Sequence, residues 1–323
     1  GKLIYHDPAF ATEGIALRAK TWSCASCHHA RAGFKSGMIQ GIGEGGEGFG
    51  LKGETRGWFD PEIGTQDADV QPVTSPTILN VAFQDVMLWN GQLGNASNGI
   101  INVGIDPEIL MTEGTPKVAN AEGLSGIETQ AIAGTGVHRI LGFPPELEDS
   151  DYYQMLLDAF PEYSRDELHK SSTRAIAAFE RTVLANQSPF QLWLRGDSDA
   201  MSEKEIAGAA VFFGDGGCVA CHQGAAFSSP VGATADQVFF SVGFADLDFN
   251  EIIGGVSDPV RLGRGGFTQV EEDNYKFKVP QLYNLADINV FGHGGSFSSV
   301  REVVEYKNIG IAQNDASTDY LDP

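Results

Sequence analysis

The chain has 323 residues, 42% hydrophobic and 20% charged, with 43 acidic side chains against 21 basic ones and a net charge of −22. That balance excludes a nucleic-acid or anionic-membrane partner, because a strongly acidic surface is repelled by phosphate, and no run of about 18 apolar residues is present to span a bilayer. The length suits two modest domains.

In chain order, the first element is Cys24-Ala-Ser-Cys27-His28. Two thiols at this spacing add across haem vinyl groups while the adjacent imidazole takes one face of the iron, so the motif reads as a c-type haem attachment site. A glycine-rich stretch runs from Gly41 to Gly57, and Pro144-Pro145 marks a second irregular region. Such long loops are expected to be ordered by a cofactor. A boundary is expected near Pro161 to Ser164, giving an N-terminal, peroxidatic haem domain over 1–163 and a C-terminal, electron-transfer haem domain over 164–323, with the extreme C-terminal tail free to return to the first. Ser164-x-x-Glu167 is a capping box that opens a helix carrying Leu168, Ile176, Phe179 and Val183 on one side. Ser202-x-x-Glu205 caps a second, with Ile206, Ala210 and Phe213 leading to Gly214. Cys218-Val-Ala-Cys221-His222 repeats the attachment pattern, and the two motifs use all 4 cysteines. A glycine-rich stretch from Gly254 to Gly266 then precedes Ser299-x-x-Glu302, which caps a third helix with Val300, Val303 and Val304 and carries Tyr306 on it or at its end. The expected fold is mainly α: two cytochrome c-like haem domains with long irregular loops and no internal repeat beyond the two haem motifs.

A redox pair or half of a zinc site accounts for one C-x-x-C. Two copies, each followed by histidine, favour two covalently attached c-type haems, and a chain this long needs no disulfide framework. Attachment of this kind takes place outside the bacterial cytoplasm, so a periplasmic location is expected, with an export signal already removed.

Further motifs carry a resemblance. They are Leu3-Ile4-Tyr5-His6-Asp7-Pro8, Ser75-Pro76-Thr77-Ile78-Leu79-Asn80, Leu88-Trp89-Asn90-Gly91, Lys276-Phe277-Lys278-Val279-Pro280-Gln281-Leu282-Tyr283-Asn284, and Phe291-Gly292-His293-Gly294-Gly295-Ser296-Phe297 followed by Val303-Val304-Glu305-Tyr306. Over nearly its whole length the chain resembles the bacterial dihaem cytochrome c peroxidase and MauG superfamily, and within it is similar in character to the MauG-like MbnH type. The resemblance implies an N-terminal haem that meets hydrogen peroxide, a C-terminal haem that stores or relays electrons, and Trp89 as the coupling between them. It also implies a calcium ion between the haems, with Asn80 as side-chain ligand and Lys278 and Pro280 as carbonyl ligands, a hard oxygen set that suits calcium. The ordinary alternatives are a core tryptophan at 89 and a turn or capping asparagine at 80.

Two absences refine the subtype. No histidine occurs from Ala30 through Val137, where many of these peroxidases carry a second ligand to the first iron, and none of Met38, Met87, Met111, Met155 and Met201 follows the second haem motif. The first haem, on His28, is therefore expected to be open. For the second, on His222, the resemblance puts Tyr306 near the MauG distal tyrosine, a hard anionic donor that favours oxidised iron; His293 and then Lys307 are the runners-up. Glu128-Thr129-Gln130-Ala131-Ile132 matches the family's distal glutamine segment, and with a small gap His138 falls where the family has a catalytic glutamate. Imidazole can carry the proton of peroxide near neutral pH, and Gln130 would orient the bound oxygen. The implied function is a periplasmic oxidoreductase that uses hydrogen peroxide to form a high-valent dihaem state and oxidises aromatic residues, tryptophan among them, of a partner protein. The alternative is a classical dihaem cytochrome c peroxidase reducing hydrogen peroxide with electrons from a small redox protein. A non-enzymatic dihaem carrier would need both irons closed by two ligands.

Overall fold

The computed structural model describes residues 1–12, 19–48, 56–58, 67–94, 101–140, 142–229, 232–250 and 253–322. Residues 49–55 of the first glycine-rich stretch lie outside them. The helices that position the site are α1 (Lys2–His6), α2 (Cys24–Cys27), α3 (Gly126–Val137), α4 (Asp151–Ala159), α5 (Leu168–Glu180), α6 (Glu203–Phe213) and α7 (Val300–Ile309). Capping chemistry sets the longer ones. Ser164 and Glu167 form a reciprocal box on a short 3-10 turn that runs into α5, and Ser202 with Glu205 does the same for α6, which ends at Gly214. In α7 the box is offset: Ser299 accepts the Glu302 N–H at 3.3 Å, but the Glu302 carboxylate returns to the Ser298 N–H at 2.7 Å. Strands among the described residues are two-residue antiparallel pairs: β1 (Gly46–Glu47) with β2 (Gly57–Trp58), β3 (Val86–Met87) with β4 (Leu93–Gly94), and β5 (Phe239–Phe240) with β6 (Phe277–Lys278). The fold is mainly α with long irregular segments, as expected.

One apolar core joins Ile4, Tyr5, Phe10, Trp22 and Ile127 to Leu168, Ile176 and Val183, and reaches Tyr283. Leu168 and Ile176 are 4% and 3% exposed, and burial of each is worth about 1.5–3 kcal/mol. They belong to α5, which packs on α1, α3 and α4. A boundary at 163/164 therefore cuts through this core. The cap signals mark where α5 starts; they do not say which core its apolar stripe joins.

The described part of the first glycine-rich stretch is organised by Arg56, 2% exposed. Its guanidinium donates to the carbonyls of Thr21, Ile42, Gly43 and Gly48 at 2.7 to 3.2 Å. A buried side chain thus supplies the hydrogen bonds that the irregular backbone cannot make to itself.

The fold also holds a repeat that the sequence reading missed. Pro76 precedes Asn80 by four positions and Trp89 follows it by nine; Pro280, Asn284 and His293 keep the same spacing. Asn80 and Asn284 are both left-handed, with φ of 53° and 52°, and each is the N-cap of a 3-10 turn, Val81–Phe83 and Leu285–Asp287. Asparagine tolerates that region better than most residues. The expectation of no repeat beyond the haem motifs is corrected accordingly: the residues that fix backbone shape are kept, while the ring at the end of the segment has changed identity.

The Asn80 side chain is tied to one backbone residue, with Nδ2 donating to the Ala185 carbonyl and Oδ1 accepting the Ala185 N–H, each at 2.9 Å and at 1% exposure. Asn80→Ala is expected to destabilise the fold by about 2–4 kcal/mol, from two backbone groups left unpaired and from the left-handed φ. The effect should be read as a lower urea midpoint with an unchanged slope. An unshifted midpoint would show that this clasp holds nothing.

Candidate active site

Cys24 and Cys27 lie on α2, and His28 is its C-cap. Burial pushes both thiols up to about 12, with Glu180 adding to the rise at Cys24 and Asp69 at Cys27. His28 Nδ1 donates to the Phe34 carbonyl at 3.3 Å, so Nε2 is the nitrogen left for a metal. Burial, helped by His138, holds the His28 imidazole down to about 4, and the neutral ring is the form that ligates. The second motif repeats the arrangement: His222 Nδ1 donates to the Phe227 carbonyl at 3.0 Å, and burial lowers its pKa. The carbonyls of Pro76 and Pro280, the paired prolines of the repeat, lie against the same two rings.

A cavity of about 370 Å³ opens beside α2, between the two halves of the chain. Cys24, Cys27 and His28 line it together with Trp89, Gln130, His138 and Glu180, and the C-terminal half contributes Phe277 and Lys278. The volume is in the range of a cofactor site, and two thiols with a neutral imidazole are the donor set of a c-type haem, so the residues fit that group. The second motif lies in a more open setting. Cys218 is exposed, Cys221 is half-buried, and neither α6 nor α7 buries a residue. Val211 and Val304 are 60% and 61% exposed, Phe212 of α6 has its ring 6.5 Å from that of His222, and Lys307 of α7 is within electrostatic reach of His222 and Cys221. Bare apolar side chains around a neutral imidazole make a cradle for a flat apolar group, and here too the residues fit haem. Among the described residues no cluster of three or more His, Cys, Asp or Glu side chains is arranged to hold a metal ion directly.

His138 is the C-cap of α3. Its Nδ1 lies 3.1 Å from Asp69 Oδ2 and 3.2 Å from Gln71 Nε2, and its backbone carbonyl accepts the Trp22 indole N–H at 2.8 Å. Burial disfavours the imidazolium, but the Asp69 charge and hydrogen bond outweigh it and raise the His138 pKa. His138 lies within electrostatic reach of His28, and Gln130 of α3 borders the same cavity. The fold therefore brings His138, Gln130 and Trp89 to the cavity of the first motif. Arg139 turns away, to an ion pair with the buried Glu44 and to the Asp67 carbonyl at 2.6 Å. Asp69 and Gln71 escaped the sequence reading, since nothing local marks two side chains that meet His138 across 69 and 67 positions.

The Trp89 indole donates to the Thr74 carbonyl at 2.8 Å, while the Thr74 N–H donates to the His293 carbonyl, also at 2.8 Å. The His293 ring meets Trp89 edge-on at 6.4 Å, stacks on Phe277 at 3.6 Å, and sets Nε2 3.3 Å from Asp246. Tyr306 packs against Phe244 and Phe297 at 5.1 and 5.3 Å, and its hydroxyl, whose pKa burial raises, donates to the Val242 carbonyl at 2.7 Å. A Cβ at Gly243, where φ is +70°, would stand 2.9 Å from that hydroxyl. Iron ligation by Tyr306 asks the hydroxyl to exchange Val242 for the metal. Lys307 lies 5.2 Å over the Phe244 ring. Lys278 is half-buried, its ammonium donating to Gln84 and, at 2.8 Å, to the Val86 carbonyl, and desolvation of that ammonium pushes it down to about 7.

A sequence profile described as di-haem cytochrome c peroxidase matches residues 1–199. The chain is similar to the cytochrome c peroxidase Ccp of Escherichia coli K12, at 26% identity over 309 residues, 94% of this chain and 51% of that protein. It is also similar to the methylamine utilization protein MauG of Methylorubrum extorquens, at 23% identity over 308 residues, 95% of this chain and 67% of that protein. It spans about half the length of the Escherichia coli relative. A crystal structure of a MauG-like protein associated with microbial copper homeostasis has the same fold, with a TM-score of 0.60 at 21% identity over 95% of this chain and 74% of that one.

Proposed function

The chain belongs to the di-haem cytochrome c peroxidase family, and from that premise we propose that it is a periplasmic dihaem oxidoreductase of the MauG-like kind, which uses hydrogen peroxide to oxidise aromatic residues, tryptophan among them, of a partner protein. The observation that carries the reading is the His138–Asp69 pair bordering the cavity of His28, in a chain with no histidine from Ala30 through Val137 to close that iron. Bound haem supplies redox-active iron, held by His28 in the first site and by His222 with Tyr306 in the second, that takes up the oxidising equivalents of peroxide.

The remaining work falls to side chains. With its Nδ1–H held by Asp69, neutral His138 has its lone pair on Nε2, where it accepts the proton of incoming peroxide and returns it to the leaving oxygen. Asp69 stabilises the imidazolium formed between those two transfers. Gln130 orients the oxygen by hydrogen bonding, and Trp89, fixed by Thr74, carries charge between the sites so that the protein substrate need not enter the cavity. A calcium held by Asn80 with the Lys278 and Pro280 carbonyls belongs to the same proposal; Asn80 Oδ1 would serve Ala185 and the ion through its two lone pairs.

Electron paramagnetic resonance of the resting, diferric protein should show one high-spin haem from the open first site and one low-spin haem from the second, and Tyr306→Phe should change only the low-spin signal. A resting spectrum with both haems low-spin would favour a closed carrier and sink the proposal. An unchanged low-spin signal in the Phe variant would pass the ligand assignment to His293 or Lys307.

A further inference from the structure

The first cavity holds an ionisable side chain that the proton chemistry above leaves unused. Glu180, the last residue of α5, is 5% exposed and borders the cavity beside Cys24. Among the described residues it has no hydrogen-bond or ion-pair partner. The groups facing it are Tyr5 of α1, Cys24 of α2, Glu128 of α3 and the adjoining Arg181. None neutralises it: Arg181 is turned to Glu128 at 2.6 Å, and the Tyr5 hydroxyl donates to the His28 carbonyl at 3.1 Å. Burial raises the Glu180 carboxyl to about 8, with Arg181 opposing and Glu128 adding to the rise.

A buried carboxyl with no partner is neutral unless a positive charge arrives nearby. We propose that Glu180 is a redox-linked proton site for the first haem, holding a proton while the iron is ferrous and releasing it to solvent when the iron becomes ferric. The inference rests on the reading that haem occupies this cavity. Per electron, the site loses one electron to a one-electron acceptor, an electrode in the test below, and one proton from Glu180 Oε–H to water, so the charge of the pocket is conserved. On reduction both return. At the effective dielectric of such pockets, one unit of charge across a haem-sized separation changes proton affinity roughly tenfold. In the resting, diferric protein the proton has already left, and the carboxylate offsets the charge of the ferric haem.

The test is spectroelectrochemistry of the haem-loaded protein from neutral into mildly alkaline pH. The midpoint potential of the first haem should fall by about 59 mV in total, the one-electron equivalent of a tenfold change, and Glu180→Gln should flatten that dependence. Infrared difference spectra of the wild type should show a protonated-carboxyl band that is lost on oxidation, which needs no variant. A pH dependence retained in the Gln variant, or no carboxyl band in the wild type, overturns the inference and leaves the proposed function standing. An intact mass without the first haem would overturn the haem reading itself.

Discussion

Replacing His138 by alanine is expected to slow the reaction with peroxide by a factor of about 10² to 10⁴, the range typical of a lost general acid/base. The geometry predicts more than a rate loss. The group must be neutral to accept a proton, and its folded pKa is raised by Asp69, so the wild-type rate should climb as pH rises through that elevated value. Asp69→Asn removes the charge and leaves only a neutral amide oxygen as acceptor, so burial, which acts in the opposite direction, gains weight. The pH profile of the Asn variant should therefore move toward acid, measured by stopped-flow over about pH 5 to 8, where imidazoles titrate. An alanine variant as fast as wild type would remove His138 from the chemistry, and an unmoved profile in Asp69→Asn would show that the pair does not set the proton affinity.

The second large effect is all-or-none. Changing both Cys218 and Cys221 to alanine should leave a protein with one covalently bound haem in place of two, counted by intact mass under denaturing conditions. The first site should survive, because its core is built from α1, α3, α4 and α5 and takes nothing from α6 or α7. The bare apolar residues of α6 and α7 would then lose the group that covers them, so this variant should also aggregate more readily than wild type. A mass still carrying two haems would mean that attachment does not use this motif.

What the sequence disclosed divides along a physical line. Thioether capture and the adjacent iron ligand need neighbouring residues, so both attachment sites could be read from a few positions, and capping boxes at Ser164 and Ser202 are equally local. His138 could be placed through the resemblance of the segment around Gln130 to the family's distal segment, whereas Asp69, 3.1 Å from it, is joined to it only by the fold. Glu180 reads as one more polar residue on an amphipathic helix until the cavity beside it is seen. The repeat from Pro76 to Trp89 and from Pro280 to His293 was present in the letters but obscured, since proline and asparagine preserve a backbone shape while the indole of Trp89 and the imidazole of His293 differ in size and in acid–base chemistry. The packing of α5 is hidden for a related reason: its start is written locally, but the burial of Leu168 and Ile176 against residues of the N-terminal half is not.

The measurement that bears most directly on the central claim is the addition of hydrogen peroxide to the diferric protein with no reductant present, followed optically at both haems and then by mass analysis of aromatic residues in added protein. The account predicts an immediate spectral change involving both sites, followed by oxidation of the added protein. A protein that stays inert to peroxide until it has received one electron would contradict it, and a classical peroxidase supplied by a small redox protein would then be the better description.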